Sequence, residues 1–229
     1  MKRVKLLFFT TLAVLIYAEA QAQNSFFPTK AGTELLFADN DAKGKPQSYS
    51  KQTIKTVEGS GDNMSISYVI ESLDKNKKPL DPPVEIPCKV TIKDGVVIFD
   101  MKSAFAGMMN QQLKMELTGV PMELPANLQP GQSLKDANMT LTIDMGVMKM
   151  KTEMKMTDSK CLAIEDVKVG AGAFKCHKVT QTVSTTALKT TTVNQTVSWF
   201  APGVGAIKTE TFDSKNKLIS STELVSIKN

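Results

Sequence analysis

The run Met148-Lys149-Met150-Lys151-Thr152-Glu153-Met154-Lys155-Met156 alternates thioethers with charged side chains. Successive residues of an extended strand point to opposite faces, so Met148, Met150, Thr152, Met154 and Met156 share one side and Lys149, Lys151, Glu153 and Lys155 the other. The stretch therefore reads as an amphipathic strand with a flexible, oily lining. Met139 and Met145 precede it, placing six of the chain's thirteen methionines within eighteen residues. Methionine is unbranched and polarizable, which suits three roles: an adaptable core, a groove that repacks around greasy ligands or client segments, or a soft thioether set for Cu(I). The core is the plainest of the three.

The same two-residue period recurs on both sides of this stretch. Met64-Ser65-Ile66-Ser67-Tyr68-Val69-Ile70, Lys89-Val90-Thr91-Ile92, Val96-Val97-Ile98-Phe99 and Val179 to Val183 are short strands. Turn clusters separate them at Asn40 to Gly44, Gly59 to Asp62, Asp74 to Lys78, Lys93 to Gly95 and Gly170 to Gly172. Such spacing predicts an antiparallel meander with one oily and one wet face. One segment breaks the pattern: Ser103 can cap a helix around 103–114 that carries Phe105, Met108, Met109 and Leu113 at near-helical spacing. Its apolar stripe has to bury, and the concave side of a curved sheet is the natural place. After it, Pro121, Pro125 and Pro130-Gly131 predict a stiff crossing loop without regular pairing from Val120 to Ser133.

The chain starts Met1-Lys2-Arg3-Val4-Lys5, continues with a largely apolar run from Leu6 to Ala18, and reaches Ala18-Glu19-Ala20-Gln21-Ala22-Gln23. A basic start, a short apolar middle and small residues two apart describe a secretory signal peptide, with cleavage after Ala20 or, preferably, Ala22. Thirteen apolar residues at about 1.5 Å each fall short of the roughly 30 Å hydrocarbon core. The expectation is a cleaved leader over 1–22 and one β-rich domain over 23–229, free in the periplasm or outside the cell. The first cysteine is Cys88, so a lipid-anchored start is not expected. No later apolar run is long enough to leave a stable transmembrane segment.

Without the leader, 25 basic and 22 acidic residues remain and the net charge falls to +3. The basic residues are interspersed instead of clustered, and aromatic rings are few, so nucleic acid is not an expected partner. No Gly/Ser tract, Pro-rich spacer or charge block marks a linker. The cysteines allow at most one internal bridge. If Gly170-Ala171 is a two-residue turn, facing positions of that hairpin add to 341. Cys161 and Cys176 add to 337, which is too far out of register for a bridge. Cys88 with Cys176 remains an alternative, as do three buried free thiols.

Candidate chemistry is sparse. The single histidine, His177, adjoins Cys176, but neighbours on a strand face opposite ways and would not form a nucleophile-base pair. There is no metal-ligand spacing, no phosphate-cradling glycine loop and no G-x-S-x-G elbow. Neither a catalytic site, a metal site nor a cofactor is expected, and the chain reads as a non-enzyme.

Trp199-Phe200-Ala201-Pro202-Gly203-Val204-Gly205-Ala206-Ile207-Lys208-Thr209-Glu210, followed by Phe212-Asp213, Lys217-Leu218 and Glu223-Leu224, resembles the ending W-Y-x-x-G-V-G-x-V-K-x-E-x-Y-D…G-K-L…E-L of the TapB-like exported proteins of Bacteroidetes. Gly172-Ala173-Phe174-Lys175-Cys176-His177-Lys178-Val179 is similar to that family's A-G-T-F-x-C-x-K-I piece. Gly131 to Ala137 and Phe99-Asp100-Met101 also resemble it, so scattered pieces cover the chain from Asp94 onward. Asn216 stands where the family usually has Gly, and Ala173 where it has Thr; Asn also tolerates a left-handed turn. The resemblance implies an exported β-rich domain and no established reaction. Physically, Gly203 and Gly205 predict a bend beside a close backbone approach, and Asp213-Ser214-Lys215-Asn216 a hairpin turn.

These readings combine into a mainly β fold: a strongly curved antiparallel sheet or incomplete barrel with one short helix on its concave side. Such a half-barrel is similar in shape to lipoprotein-carrier folds of the envelope, an analogy of fold alone. The expected function is non-enzymatic binding of a hydrophobic ligand or lipid, with Phe105, Met108, Met109, Met148, Met150, Met154 and Met156 as the candidate lining. The alternative is a structural module that docks another envelope protein through edge strands and the Thr-rich stretch Thr180 to Val197. A Met-based Cu(I) site is the remaining reading.

Overall fold

The hairpin that contains the methionine stripe is the longest in the molecule and organises the rest. The computed structural model describes residues 25–100, 114–144, 146 and 148–229. Strand β9 (Lys149–Val169) runs into β10 (Gly172–Ala187) through the turn Gly170-Ala171. Gly172 faces Val169 and Cys176 faces Glu165, the register expected for a two-residue turn. Cys161 is thus out of register with Cys176; a bulge between Lys178 and Val179 sets it opposite Val179, and a second bulge follows between Thr180 and Thr182. All three cysteines are free and buried.

The other strands, in chain order, are β1 (Glu34–Asp41), β2 (Pro46–Ser60), β3 (Asn63–Leu73), β4 (Glu85–Lys93), β5 (Val96–Asp100), β6 (Lys114–Val120), β7 (Glu123–Pro125), β8 (Ala137–Asp144), β11 (Thr190–Ala201), β12 (Gly205–Phe212) and β13 (Leu218–Lys228). All thirteen belong to one antiparallel sheet, ordered β6-β8-β9-β10-β11-β12-β13-β1-β2-β3-β4-β5-β7. The sheet curves strongly and does not close, because β6 at one end and β7 at the other are not paired with each other. Among the described residues no helix is present, and none is long and apolar enough to cross a membrane. The expected helix around 103–114 falls outside the described residues except for its last position, Lys114, which begins β6.

Three hairpin turns repeat one device that the sequence reading did not recognise as a repeat. Asp41 ends β1, Asp74 and Asp213 directly follow β3 and β12, and each carboxylate accepts the backbone N–H groups two and four residues on, at 2.8–3.0 Å. The third residue on, Gly44, Lys77 or Asn216, adopts positive φ, as this reversal requires. These N–H groups hold all three carboxyls below the usual carboxylate range.

The proline-containing segment departs from expectation. Glu123–Pro125 pairs with Val96–Ile98 as the last strand of the sheet, where Pro125 has no further neighbour to bond. Beyond it the chain crosses to β9: Gly131 N–H donates to Cys161 O at 2.8 Å, Cys161 N–H to Gln132 O at 2.9 Å, and Leu134 N–H to Ser159 O at 2.8 Å. This crossing ties the two ends of the sheet together at one rim, with Leu128 completely buried beneath it.

Candidate functional site

Two adjacent phenylalanines hold the curved sheet around its interior. Phe26 meets His177 of β10 edge-on, with ring centroids 4.8 Å apart, and Phe200 of β11 at 6.2 Å. Phe27 meets Tyr68 of β3 at 5.1 Å and Phe99 of β5 at 6.2 Å. Strands β10 and β3 stand six places apart in the sheet, so the pair bridges two walls that no backbone ladder joins. The backbone at this point is gripped as well: Gly203 N–H donates to Ser25 O at 2.7 Å. A Cβ on Gly205, which has φ +100°, would press to 3.2 Å from Phe26 O. The bend and close approach expected at Gly203 and Gly205 are therefore present, and the neighbour is the first described stretch of the chain, Ser25-Phe26.

Beside this plug, where the rim is not tied, lies a cavity of about 640 Å³. One wall is the end of β5, with Ile98 and Phe99, and the opposite wall is β6, with Leu117 and Val120. Met139 of β8, Met156 of β9 and Phe200 of β11 form its floor. The cavity thus occupies the seam that the unclosed sheet leaves between its two ends. Val120 on its edge is 47% exposed, so the apolar lining reaches the surface. A smaller space of about 220 Å³ adjoins it and shares Phe99, Phe200, Ala206 and Thr209; Phe26 and Phe27 line this second space.

A row of hydroxyls crosses the inner face next to these apolar side chains. Ser198, Thr209, Thr222, Asp39 and Ser48 are register partners on β11, β12, β13, β1 and β2. Ser198 and Thr209 share a hydrogen bond of 2.9 Å, Thr222 donates to Asp39 at 2.9 Å, and Ser48 donates to Asp39 at 3.4 Å. Ser198 and Thr209 both line the larger cavity.

The candidate lining deduced from the sequence is met at one position among those described. Met156 lines the cavity. Met154 is half-buried opposite Met139, and Met150 is half-buried opposite Ile143; neither borders the cavity. Met148 is 50% exposed. Phe105, Met108 and Met109 lie outside the described residues. Ile98, Leu117, Val120, Met139 and Phe200, which the sequence alone did not single out, also belong to the apolar wall. Their alternation was visible, but which inner-facing residues meet at a seam depends on strand order and curvature. Phe26-Phe27 was missed altogether, although two adjacent aromatics just after the expected leader were a usable signal.

The chemistry of the remaining groups is quiet. Cys176 is fully buried against Trp199, Ile207 and Leu224, and its thiol donates to Phe174 O at 3.3 Å. Burial, with Asp166 and Glu165 adding to it, pushes that thiol up to about 11. His177 faces the other way, onto Phe26, and burial lowers its pKa, opposed by the Phe200 carbonyl. On the opposite side of β11 from Ser198 and Phe200, Trp199 lies between Lys178 and Lys208, 5.2 and 5.5 Å from its ring centre. Its indole N–H donates to Glu165 at 2.6 Å. Among the described residues no three His, Cys, Asp or Glu side chains are grouped to hold a metal ion.

No curated protein matches the chain in sequence. Two solved structures share its fold. One is a Bacteroides fragilis protein described as exported and as having a YmcC-like fold, with a TM-score of 0.71 at 21% identity, covering 90% of this chain and 99% of that one. The other is a Parabacteroides distasonis protein described as a lipoprotein, with a TM-score of 0.72 at 23% identity, covering 89% of this chain and 98% of that one. A model of the DUF3108-like family matches residues 30–224, and the chain belongs to that family.

Proposed function

We propose that this chain is a non-enzymatic exported protein of the cell envelope, periplasmic or extracellular, that takes a hydrophobic ligand or lipid into the seam between β5 and β6. The cavity of about 640 Å³ carries this reading: its size falls within the range of about 300–1,000 Å³ that small-molecule sites occupy, and its walls are mainly apolar. A surface-connected apolar space costs hydration free energy when empty, so an apolar occupant is favoured there. The signal-peptide pattern and the description of the two solved neighbours as exported and as a lipoprotein support the compartment. The resemblance to TapB-like exported proteins agrees with it.

The test is fluorescence titration with N-phenyl-1-naphthylamine, which brightens in apolar surroundings. Saturable binding is expected, and it should be lost in Ala137→Phe, which fills the floor opposite Met156, while circular dichroism stays unchanged. Absence of saturable binding to the folded wild-type protein would remove the proposal.

A second reading is docking of another envelope protein through the β10–β11 hairpin, whose turn exposes Leu188 at 69% and whose strand exposes Val193 at 43%. A Cu(I) site built from the whole methionine stripe is less favoured. Met148 and Met156 lie about 26 Å apart along an extended strand, too far to converge on one ion.

A further inference from the structure

Resting on the hydrophobic-ligand reading, we infer that the occupant is an uncharged amphiphile: an acyl or similarly apolar chain ending in a hydroxyl- or amide-bearing head, and not a fatty acid or other anion. The juxtaposition that carries this is the Ser198-Thr209 hydroxyl pair lining the same cavity as Phe200 and Met156. Two hydroxyls that bond each other use one proton between them. The second proton and the spare lone pairs stay available to a ligand at the apolar boundary.

Two further observations give the wall its neutral, hydrogen-bonding character. Gln181 lines the same cavity and faces Thr196 across β10 and β11. The Thr196 hydroxyl is buried and has no partner among the described residues, a state that costs free energy until a donor or acceptor reaches it. Among the described residues, the charged side chains on the cavity wall are Lys89 and Asp100. They are direct register partners on β4 and β5, one charge of each sign. An anionic head would gain from Lys89 what it loses to Asp100, leaving the hydration it gives up uncompensated by this pair. A neutral head with both donors and acceptors matches Gln181, Ser198 and Thr209, while its chain lies among Phe99, Leu117, Met122 and Met139.

The experiment is displacement of N-phenyl-1-naphthylamine from the full mature protein by monopalmitoylglycerol and by palmitate, each below its own self-association limit. The monoacylglycerol is expected to displace at least tenfold more tightly than the fatty acid at pH 8. In the double variant Ser198→Ala, Thr209→Val, monoacylglycerol affinity should fall about tenfold more than naphthylamine affinity does, the loss of two ordinary hydrogen bonds. If the naphthylamine binds and the two lipids displace it equally, or palmitate displaces it better, the inference fails and the apolar-site reading stands. Equal monoacylglycerol affinity in wild type and double variant also defeats the inference. If the naphthylamine does not bind, both fall.

Discussion

The ring of Phe26 stands edge-on to the imidazole of His177, centroids 4.8 Å apart and planes inclined by 74°. The contact joins the first described residues of the chain to the middle of the sheet. Its companion Phe27 reaches the opposite wall at Tyr68, so two consecutive side chains set how far apart the walls of the half-barrel stand.

Phe26 is fully buried and Phe27 is 4% exposed. Replacing either with Ala should destabilise the protein by about 3–5 kcal/mol, the usual cost of removing a buried aromatic and leaving a cavity. Urea unfolding measures this. A loss below about 1 kcal/mol for both variants would show that the plug does not hold the walls.

The position of His177 gives the fold a pH dependence. Its folded pKa lies below the ordinary value of 6.5 because burial disfavours the imidazolium. The unfolded chain therefore takes up a proton first as pH falls, and stability is lost from about 6.5 downward through the folded pKa. Comparing urea midpoints at pH 7.5 and 5.5, His177→Gln should show a smaller drop than wild type. An identical drop in both proteins would contradict this placement.

Gly119 has φ +136°, and a Cβ there would overlap the carbonyl oxygen of Asn138 on β8. Gly119→Ala should cost more than about 1 kcal/mol, since both the backbone angle and the close approach oppose it. Amide exchange should quicken across β6 and β8 while β1 to β3 keep their protection. Unchanged exchange in β6 would mean that this edge does not depend on the glycine.

Cys88, Cys161 and Cys176 are buried, and burial raises the pKa of each. The thiolate is the reactive form, so at pH 8 the folded protein should react with a maleimide at least a hundredfold more slowly than in urea. Three thiols should be counted after unfolding. Rapid modification of any one in the native state would contradict its burial.

Local features of this architecture were legible in the sequence, and features that depend on strand order were not. The turn Gly170-Ala171 and the register it imposes followed from residue type alone, as did the reversal at Asn216, because a two-residue turn and a left-handed position are decided by a few neighbouring residues. Met150, Met154 and Met156 lie on one strand as expected, with Met148 just before it, yet among the described candidates Met156 alone lines the cavity: β9 is 21 residues long, and only a short part of it passes the seam. Phe26-Phe27 and the pairing of Glu123–Pro125 with β5 were missed for the same reason. Each depends on a partner brought close by the curvature of the whole sheet, which no local period encodes.

The chain has a single tryptophan, Trp199, which packs on the other side of β11 from the cavity. Quenching by a bromine-labelled monoacylglycerol can therefore compare the two sides of the sheet directly. In a Trp199→Phe, Met156→Trp variant, emission from position 156 should be quenched saturably, whereas Trp199 emission in the wild type should barely change. Saturable quenching of Trp199 with none at position 156 would show that the seam between β5 and β6 is not where an apolar chain enters.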